Sequence, residues 1–283
     1  MGPLFCAGDI RRERHGFVTA YLHSLSNGDK VWSELALDKI VCALHPHSLS
    51  NGDKLCRETL KRSPKSWTYR VGDWVVKEGR PQHGLGVLKH TLQRGRYRRA
   101  WEAACFLLAE GVPTPEPIAY LEYGVLGLIW KNALVVRYLE GFRRSDHYAA
   151  GLAEKGASES EIGDFFRCLA DAIKSLCAAG VYHSDLTGKN ILTKDGRSFQ
   201  FIDLDAVHLG KEYTLARRMR NHVQLYDTFL EWFPDEVLRD LIAMLALPES
   251  DFDAWMRRVR EARQRRRARA EAIWRKEGRP EIP

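Results

Sequence analysis

The spacing of apolar positions changes character twice along the chain. Between residues 57 and 80 the period is two. Trp67-Thr68-Tyr69-Arg70-Val71 and Trp74-Val75-Val76-Lys77-Glu78 alternate clearly, and Glu58-Thr59-Leu60-Lys61-Arg62 precedes them; such alternation predicts strands. Ser63-Pro64-Lys65-Ser66 and Gly72-Asp73 supply the turns between them. A helical period follows over residues 97–110, with Ala100, Ala104, Leu107 and Leu108 on one face. It stops at Gly111, because Val112-Pro113-Thr114-Pro115-Glu116-Pro117 cannot continue a helix. Two more strands are predicted over 118–123 and 133–138. After Glu140-Gly141 the period turns helical, most clearly over 160–179, where Ile162, Phe165, Phe166, Leu169, Ile173 and Leu176 form an apolar stripe. Beyond residue 203 the chain reads as mostly helical. Five strands with one inserted helix, then a mainly helical half, predict an α+β protein of two lobes with the boundary at Gly141.

Residues 1–56 read as an extension ahead of the core, helical around 31–44. An octapeptide, His23-Ser24-Leu25-Ser26-Asn27-Gly28-Asp29-Lys30, recurs unchanged from His47 to Lys54. With no third copy the repeat is a local duplication, since solenoids need three or more stacked units.

The densest chemistry lies in Val181-Tyr182-His183-Ser184-Asp185-Leu186-Thr187-Gly188-Lys189-Asn190-Ile191-Leu192, followed by Phe201-Ile202-Asp203-Leu204-Asp205. It reads as H-x-D-L-x-x-x-N and then an apolar strand ending in Asp, the catalytic and metal-binding half of a kinase-type site. Phosphoryl transfer needs a group that orients the acceptor hydroxyl and takes its proton, plus oxygen ligands for Mg²⁺ on the nucleotide phosphates. Asp185 is placed to be the base. Asn190 offers a neutral carbonyl oxygen and Asp203 a full negative charge. Between them, 190–193 and 198–202 read as a hairpin turned by Asp195-Gly196. A hairpin brings its two open ends together, so Asn190 and Asp203 reach one ion. His183 reads as a structural histidine that hydrogen-bonds the loop backbone. Asp205 is either a second metal-side acid or a cap.

Composition narrows the setting. The 283 residues are 45% hydrophobic and 29% charged, as in a globular protein, and no apolar run approaches a membrane span. The N-terminus lacks the basic and long apolar regions of a secretory signal. The six cysteines contain no C-x-x-C pair and read as reduced thiols of a cytoplasmic protein. The net charge of +7 is concentrated in 57–99 and 257–279, which suggests anionic partners. In the second region Arg263, Arg265, Arg266, Arg267 and Arg269 suggest a basic helix lying on anionic lipid or gripping a phosphorylated acceptor. No motif or aromatic-interleaved surface supports nucleic-acid binding.

The nucleotide side completes the pattern. Lys77 ends an apolar strand in the manner of V-A-I-K, and Glu102, in the next helix, is its candidate partner. Residues Arg137, Tyr138 and Leu139 stand where a linker between lobes would present its backbone to adenine. No G-x-G-x-x-G precedes Lys77. Ser63-Pro64-Lys65-Ser66 occupies that place.

With these pieces in view the chain resembles the lipopolysaccharide kinase (Kdo/WaaP) family. The resemblance rests on Leu60-Lys61-Arg62-Ser63, Val75-Val76-Lys77, Arg99-Ala100-Trp101-Glu102, Gly111-Val112-Pro113-Thr114-Pro115, the two stretches around Asp185 and Asp203, and Arg220-Asn221-His222-Val223-Gln224-Leu225. Ile202-Asp203-Leu204-Asp205, in place of D-F-G, is the most discriminating piece. The resemblance implies a protein-kinase-like fold, with residues 57–140 a nucleotide-binding lobe and 141–283 a catalytic lobe. It also implies ATP-dependent phosphorylation of Kdo or heptose in the lipopolysaccharide inner core, at the cytoplasmic face of the inner membrane. Asp185 is then the base, Asn190 and Asp203 hold Mg²⁺, and Lys77 with Glu102 anchors ATP. The alternatives are a RIO-like protein kinase or ATPase, a small-molecule phosphotransferase, or a pseudokinase binding module. No A-P-E motif is present, and residues 211–220 read as basic and helical, leaving little room for an activation loop.

Overall fold

The computed structural model describes residues 10–23, 57–64, 66–92, 95–245 and 251–276. The chain divides into two compact units, Met1–Glu140 and Gly141–Pro283.

The first unit is built on a seven-stranded antiparallel sheet. Its strands are β1 (Ile10–His15), β2 (Val18–His23), β3 (Arg57–Arg62), β4 (Ser66–Val71), β5 (Trp74–Gly79), β6 (Pro117–Val125) and β7 (Leu128–Arg137). Their spatial order is β1-β2-β6-β7-β5-β4-β3. Residues 10–23, expected within an extension outside the core, instead pair into this sheet. Val18, Ala20 and Leu22 alternate inward and are buried, and Ala20 lies opposite Leu121 of β6. The alternation was present in the sequence, but only three inward positions carry it. The expected helix at 31–44 and the octapeptide copies, apart from His23, lie outside the described residues. On one face of the sheet Val71, Val76, Ala119, Leu121, Ala133 and Val135 close a core that excludes water almost completely; each large side chain buried there contributes about 1.5–3 kcal/mol.

Two helices, not one, separate β5 from β6. The unexpected α1 (Leu85–Leu92) packs on β7, where Thr91 Oγ1 accepts the Ile129 N–H at 2.9 Å. Its Gly84-Leu85-Gly86 start hid it from a periodicity reading. Helix α2 (Arg96–Ala109) buries Tyr97, Ala100, Trp101, Ala104 and Leu107. It ends before Gly111, whose φ of +71° suits a residue without Cβ.

The second unit is mainly helical. Its helices are α3 (Ser145–Glu154), α4 (Glu159–Ala178), α5 (Leu215–Phe229), α6 (Asp235–Met244) and α7 (Phe252–Lys276). Helix α4 opens with a capping box, Ser158 and Glu161 each satisfying the other's backbone N–H. Its stripe then buries Phe165, Phe166, Leu169, Ile173 and Leu176, with Phe166 edge-on to Phe229 of α5 at 5.3 Å. Five short strands, β8 (Arg143–Arg144), β9 (Val181–His183), β10 (Ile191–Thr193), β11 (Phe199–Phe201) and β12 (Val207–Leu209), carry the loops of the candidate site. Residues 211–213, expected to be helical, are not. Thr214 caps α5, its Oγ1 accepting from Arg217 N at 3.4 Å, so the helix starts one residue later. Among the described residues no helix is long and apolar enough to cross a membrane, and Cys105, Cys168 and Cys177 carry no disulfide.

Candidate active site

Strand β9 delivers His183 to the start of a loop that ends in a 3₁₀ turn, Gly188–Asn190. Strands β10 and β11 then form the hairpin, with Ile191 opposite Phe201. Asp195 closes its turn by accepting from the N–H groups of Arg197 and Ser198, and Gly196 has a φ of +75°. Beyond the paired residues, Ile202 N–H donates to Asn190 O at 2.9 Å. The open end of the hairpin therefore holds Asn190 next to the residue preceding Asp203. Asp203 sits in the left-handed region, φ 59° and ψ 46°. Asp tolerates this conformation better than most residues, and here it turns the chain sharply out of β11 into a second 3₁₀ turn, Leu204–Ala206.

Asp185 and Asn190 are in direct contact. Asn190 Nδ2 donates to Asp185 Oδ2 at 2.9 Å and to Asp185 O at 2.8 Å. An amide that spends its nitrogen this way turns its carbonyl oxygen to the opposite side. Lys189 Nζ also lies 3.2 Å from Oδ2 of Asp185, whose side chain is one-third exposed. Both partners crowd the same carboxylate oxygen, Oδ2.

His183 is almost wholly buried. Its Nδ1 accepts the Asp185 N–H at 3.2 Å, so the neutral ring carries its proton on Nε2 and donates to Ile202 O at 3.0 Å. Burial is the largest influence on its pKa and pushes it below the ordinary histidine value, against the pull of Asp185 and Asp203. It is a brace between the loop and the end of β11.

The loop is held from behind by three side chains of α5, of which Asn221 and Gln224 stand among the residues of the family resemblance but have no role assigned there. Gln224 Oε1 accepts the Leu186 N–H at 3.1 Å, and its Nε2 donates to Ser184 O at 2.9 Å. Asn221 Nδ2 donates to His183 O at 2.8 Å. Thr228, one turn on, accepts from Gly188 N. The signal was available: Asn221, Gln224 and Thr228 are polar residues spaced three and four apart on one face of α5. A Cβ at Gly188 would lie 2.5 Å from Thr228 Cγ2 and 2.8 Å from Asp146 Cβ, so only glycine lets the turn seat here. Replacing Gln224 by Leu strands a buried N–H and a part-buried C=O. The expected result is a loss of about 2–4 kcal/mol in urea unfolding; a loss below about 1 kcal/mol would contradict this account.

In the first unit Lys77 lies on β5, an interior strand, opposite Thr68 of β4 and Leu134 of β7. Glu102 on α2 accepts from Arg98 Nε at 3.2 Å. At the end of β7 the N–H groups of Arg137 and Tyr138 are committed to Glu116 O and Asp73 O. Arg137 also pairs with the Glu116 carboxylate. Two of the three expected linker residues thus have their N–H groups engaged within the first unit. Ser63 closes the β3–β4 turn by hydrogen bonds to Ser66, its Oγ accepting from Ser66 N at 3.0 Å, so this hydroxyl is already engaged.

The basic helix α7 is docked rather than detached. Arg263, Arg266 and Arg267 converge on the single carboxylate of Asp227 in α5, at 2.8, 2.9 and 3.0 Å. Arg260 clasps Asp235, whose carboxyl it holds below its usual pKa. Three of the five arginines singled out by sequence therefore serve the fold.

A sequence model of the lipopolysaccharide kinase (Kdo/WaaP) family matches residues 85–245. No curated protein matches. Among solved structures the chain is similar to WaaP in complex with acyl carrier protein, with 19% identity and a TM-score of 0.56 over 73% of this chain and 89% of that one. WbdD, with 16% identity and a TM-score of 0.46, aligns with 71% of this chain and 44% of its own. A glucosamine kinase in complex with glucosamine, ADP and inorganic phosphate has 15% identity and a TM-score of 0.39 over 76% of this chain and 69% of its own. At such identities the first likeness speaks for the fold, a protein-kinase-like one, and the other two add no weight. The family match spans more than half of the sequence and includes the whole Asp185–Asp203 constellation: the chain belongs to the lipopolysaccharide kinase (Kdo/WaaP) family of phosphotransferases.

Proposed function

We propose that the protein transfers the terminal phosphoryl group of ATP to a sugar hydroxyl of the lipopolysaccharide inner core, on Kdo or heptose. The observation that carries this reading is the contact of Asp185 with Asn190 beside the turn at Asp203.

The donor set suits Mg²⁺. Asn190 and Asp203 offer oxygen only, and among the described residues no cluster of three His, Cys, Asp or Glu competes as a metal site. Mg²⁺ commonly takes one or two protein carboxylates and completes its shell with phosphates and water. When bound it neutralises charge on the nucleotide phosphates. The chain's own residues do the rest. Asp185 Oδ1 orients the acceptor hydroxyl and accepts its proton, while Asn190 and Lys189 fix Oδ2. Lys77, oriented by Glu102, anchors the phosphates. The Leu139 N–H serves the adenine edge.

The acceptor would be met at the cytoplasmic face of the inner membrane, with the protein peripheral there. Arg265 and Arg269 of α7 are the two arginines of the singled-out five not drawn to Asp227, and with the exposed Arg257, Arg258, Arg275 and Lys276 they leave basic surface on this helix for anionic lipid.

The reading is tested by incubating purified protein and radiolabelled Mg-ATP with lipid A–core acceptor and, separately, with generic protein substrate. Label is expected on the glycolipid. Label on protein and never on glycolipid would move the assignment to a RIO-like protein kinase. Label on neither, with ATP bound, would favour a pseudokinase.

A further inference from the structure

Behind the catalytic loop the second unit contains a cavity of about 230 Å³ between α4, α5 and the end of α6. That exceeds the roughly 150 Å³ of an apolar cavity able to hold benzene. Ile173 and Leu245 supply apolar wall, and Cys177, Tyr213, Arg218 and His222 complete it.

The charge in this wall is unbalanced. Lys174 at the rim is paired with Asp171 at 3.1 Å. Arg218 has no carboxylate partner among the described residues: its Nη1 reaches Leu245 O at 3.4 Å, and its buried Nε has no hydrogen-bond partner. Its guanidinium lies 5.2 Å from the centre of the Tyr213 ring. Trp255 Nε1 donates to His222 Nδ1 at 3.0 Å. Burial, reinforced by Arg218, pushes the pKa of His222 down to about 3. The imidazole is thus neutral with its proton on Nε2, a second donor and not a second charge. A guanidinium and an imidazole N–H in a mostly apolar wall match an acidic head group on an apolar body.

The wall is also connected to the site. Tyr213 OH donates to Asn221 Oδ1 at 3.0 Å, and Asn221 Nδ2 donates to His183 O. We propose that this cavity is a binding site for a small organic anion, a carboxylate or phosphate monoester on a short alkyl or aryl body, whose head pairs with Arg218. Through Tyr213 and Asn221 its occupancy steadies the loop that bears Asp185.

Binding does not depend on the kinase assignment, so its test is separate from phosphoryl transfer. The full chain is melted with hexanoate, hexyl phosphate or hexan-1-ol. One or both anions are expected to raise the midpoint by about 2–4 °C at saturation, with the alcohol inert. The comparison of the two anions identifies the head group. Arg218→Met abolishes the shift. If that variant does not fold, Cys177→Phe, which fills the cavity and keeps Arg218, is expected to abolish it instead. No shift with either anion, an equal shift with hexanol, or a shift retained in the variant overturns the site. In the same samples amide hydrogen exchange over residues 181–190 slows on binding in the parent and not in Tyr213→Phe. Equal slowing in both, or none, overturns the coupling.

Discussion

Asp185→Asn lowers kcat by about 10³-fold or more and leaves Mg-ATP affinity within about twofold, an effect within the 10²–10⁴ range of positioned general bases. The geometry makes the substitution a clean probe. Asn190 Nδ2 and Lys189 Nζ both donate toward Oδ2 of residue 185, so an amide there turns its oxygen to them. Its NH₂ then faces the acceptor, where a proton-accepting oxygen is required. The loop keeps its shape, because Gln224 and Asn221 hold its backbone and not this side chain. A thousandfold loss corresponds to about 4 kcal/mol of transition-state stabilisation. Single-turnover transfer and equilibrium nucleotide binding on the same preparation check it. Normal turnover removes Asp185 as the base; equal loss of turnover and nucleotide affinity assigns it to binding.

Asp227→Ala destabilises the protein by about 2–4 kcal/mol, more than any ordinary surface substitution. The Asp227 side chain is only 16% exposed and gathers Arg263, Arg266 and Arg267. Without it three guanidinium groups face one another with no counter-charge, and α7 loses its main polar tie to α5. The discount from a fully buried pair reflects arginines that are 44% and 45% exposed. Urea unfolding measures the loss, and limited proteolysis locates it at residues 252–276. A change under about 1 kcal/mol would mean that the buried Trp255, Met256 and Val259, with the Arg260–Asp235 and Trp255–His222 contacts, suffice to hold the helix.

Much of this was legible in the sequence, for local reasons. The spacing from Asp185 to Asn190 to Asp203 encodes a turn and a hairpin, and a hairpin is a short-range object whose register its own Asp-Gly turn sets. The strands from β3 to β7 and the stripe on α4 likewise follow from period alone. What escaped was set by partners distant in sequence. β1 and β2 are strands because β6, about a hundred residues on, offers an edge to them. Gln224 and Asn221 are anchors because α5 passes behind a loop some 40 residues earlier, and nothing in a polar i, i+3 pair says which backbone it will meet. The arginines of α7 look like a lipid-binding face until Asp227 is known to lie under them. Lys189 was in plain view within the motif, but its contact with Asp185 depends on the 3₁₀ turn that only Gly188 permits.

The strand order has a consequence for solubility. β1 and β3 are the outermost strands of the sheet as described, and an outermost strand invites a neighbouring molecule to extend the ladder. Their sequences are Ile-Arg-Arg-Glu-Arg-His and Arg-Glu-Thr-Leu-Lys-Arg. The described side chains Arg12 and Arg14 on one border and Lys61 and Arg62 on the other are exposed, and such like charges disfavour pairing with a second copy of the same border. Part of the positive charge that invites a search for anionic ligands thus keeps one molecule from stacking on the next.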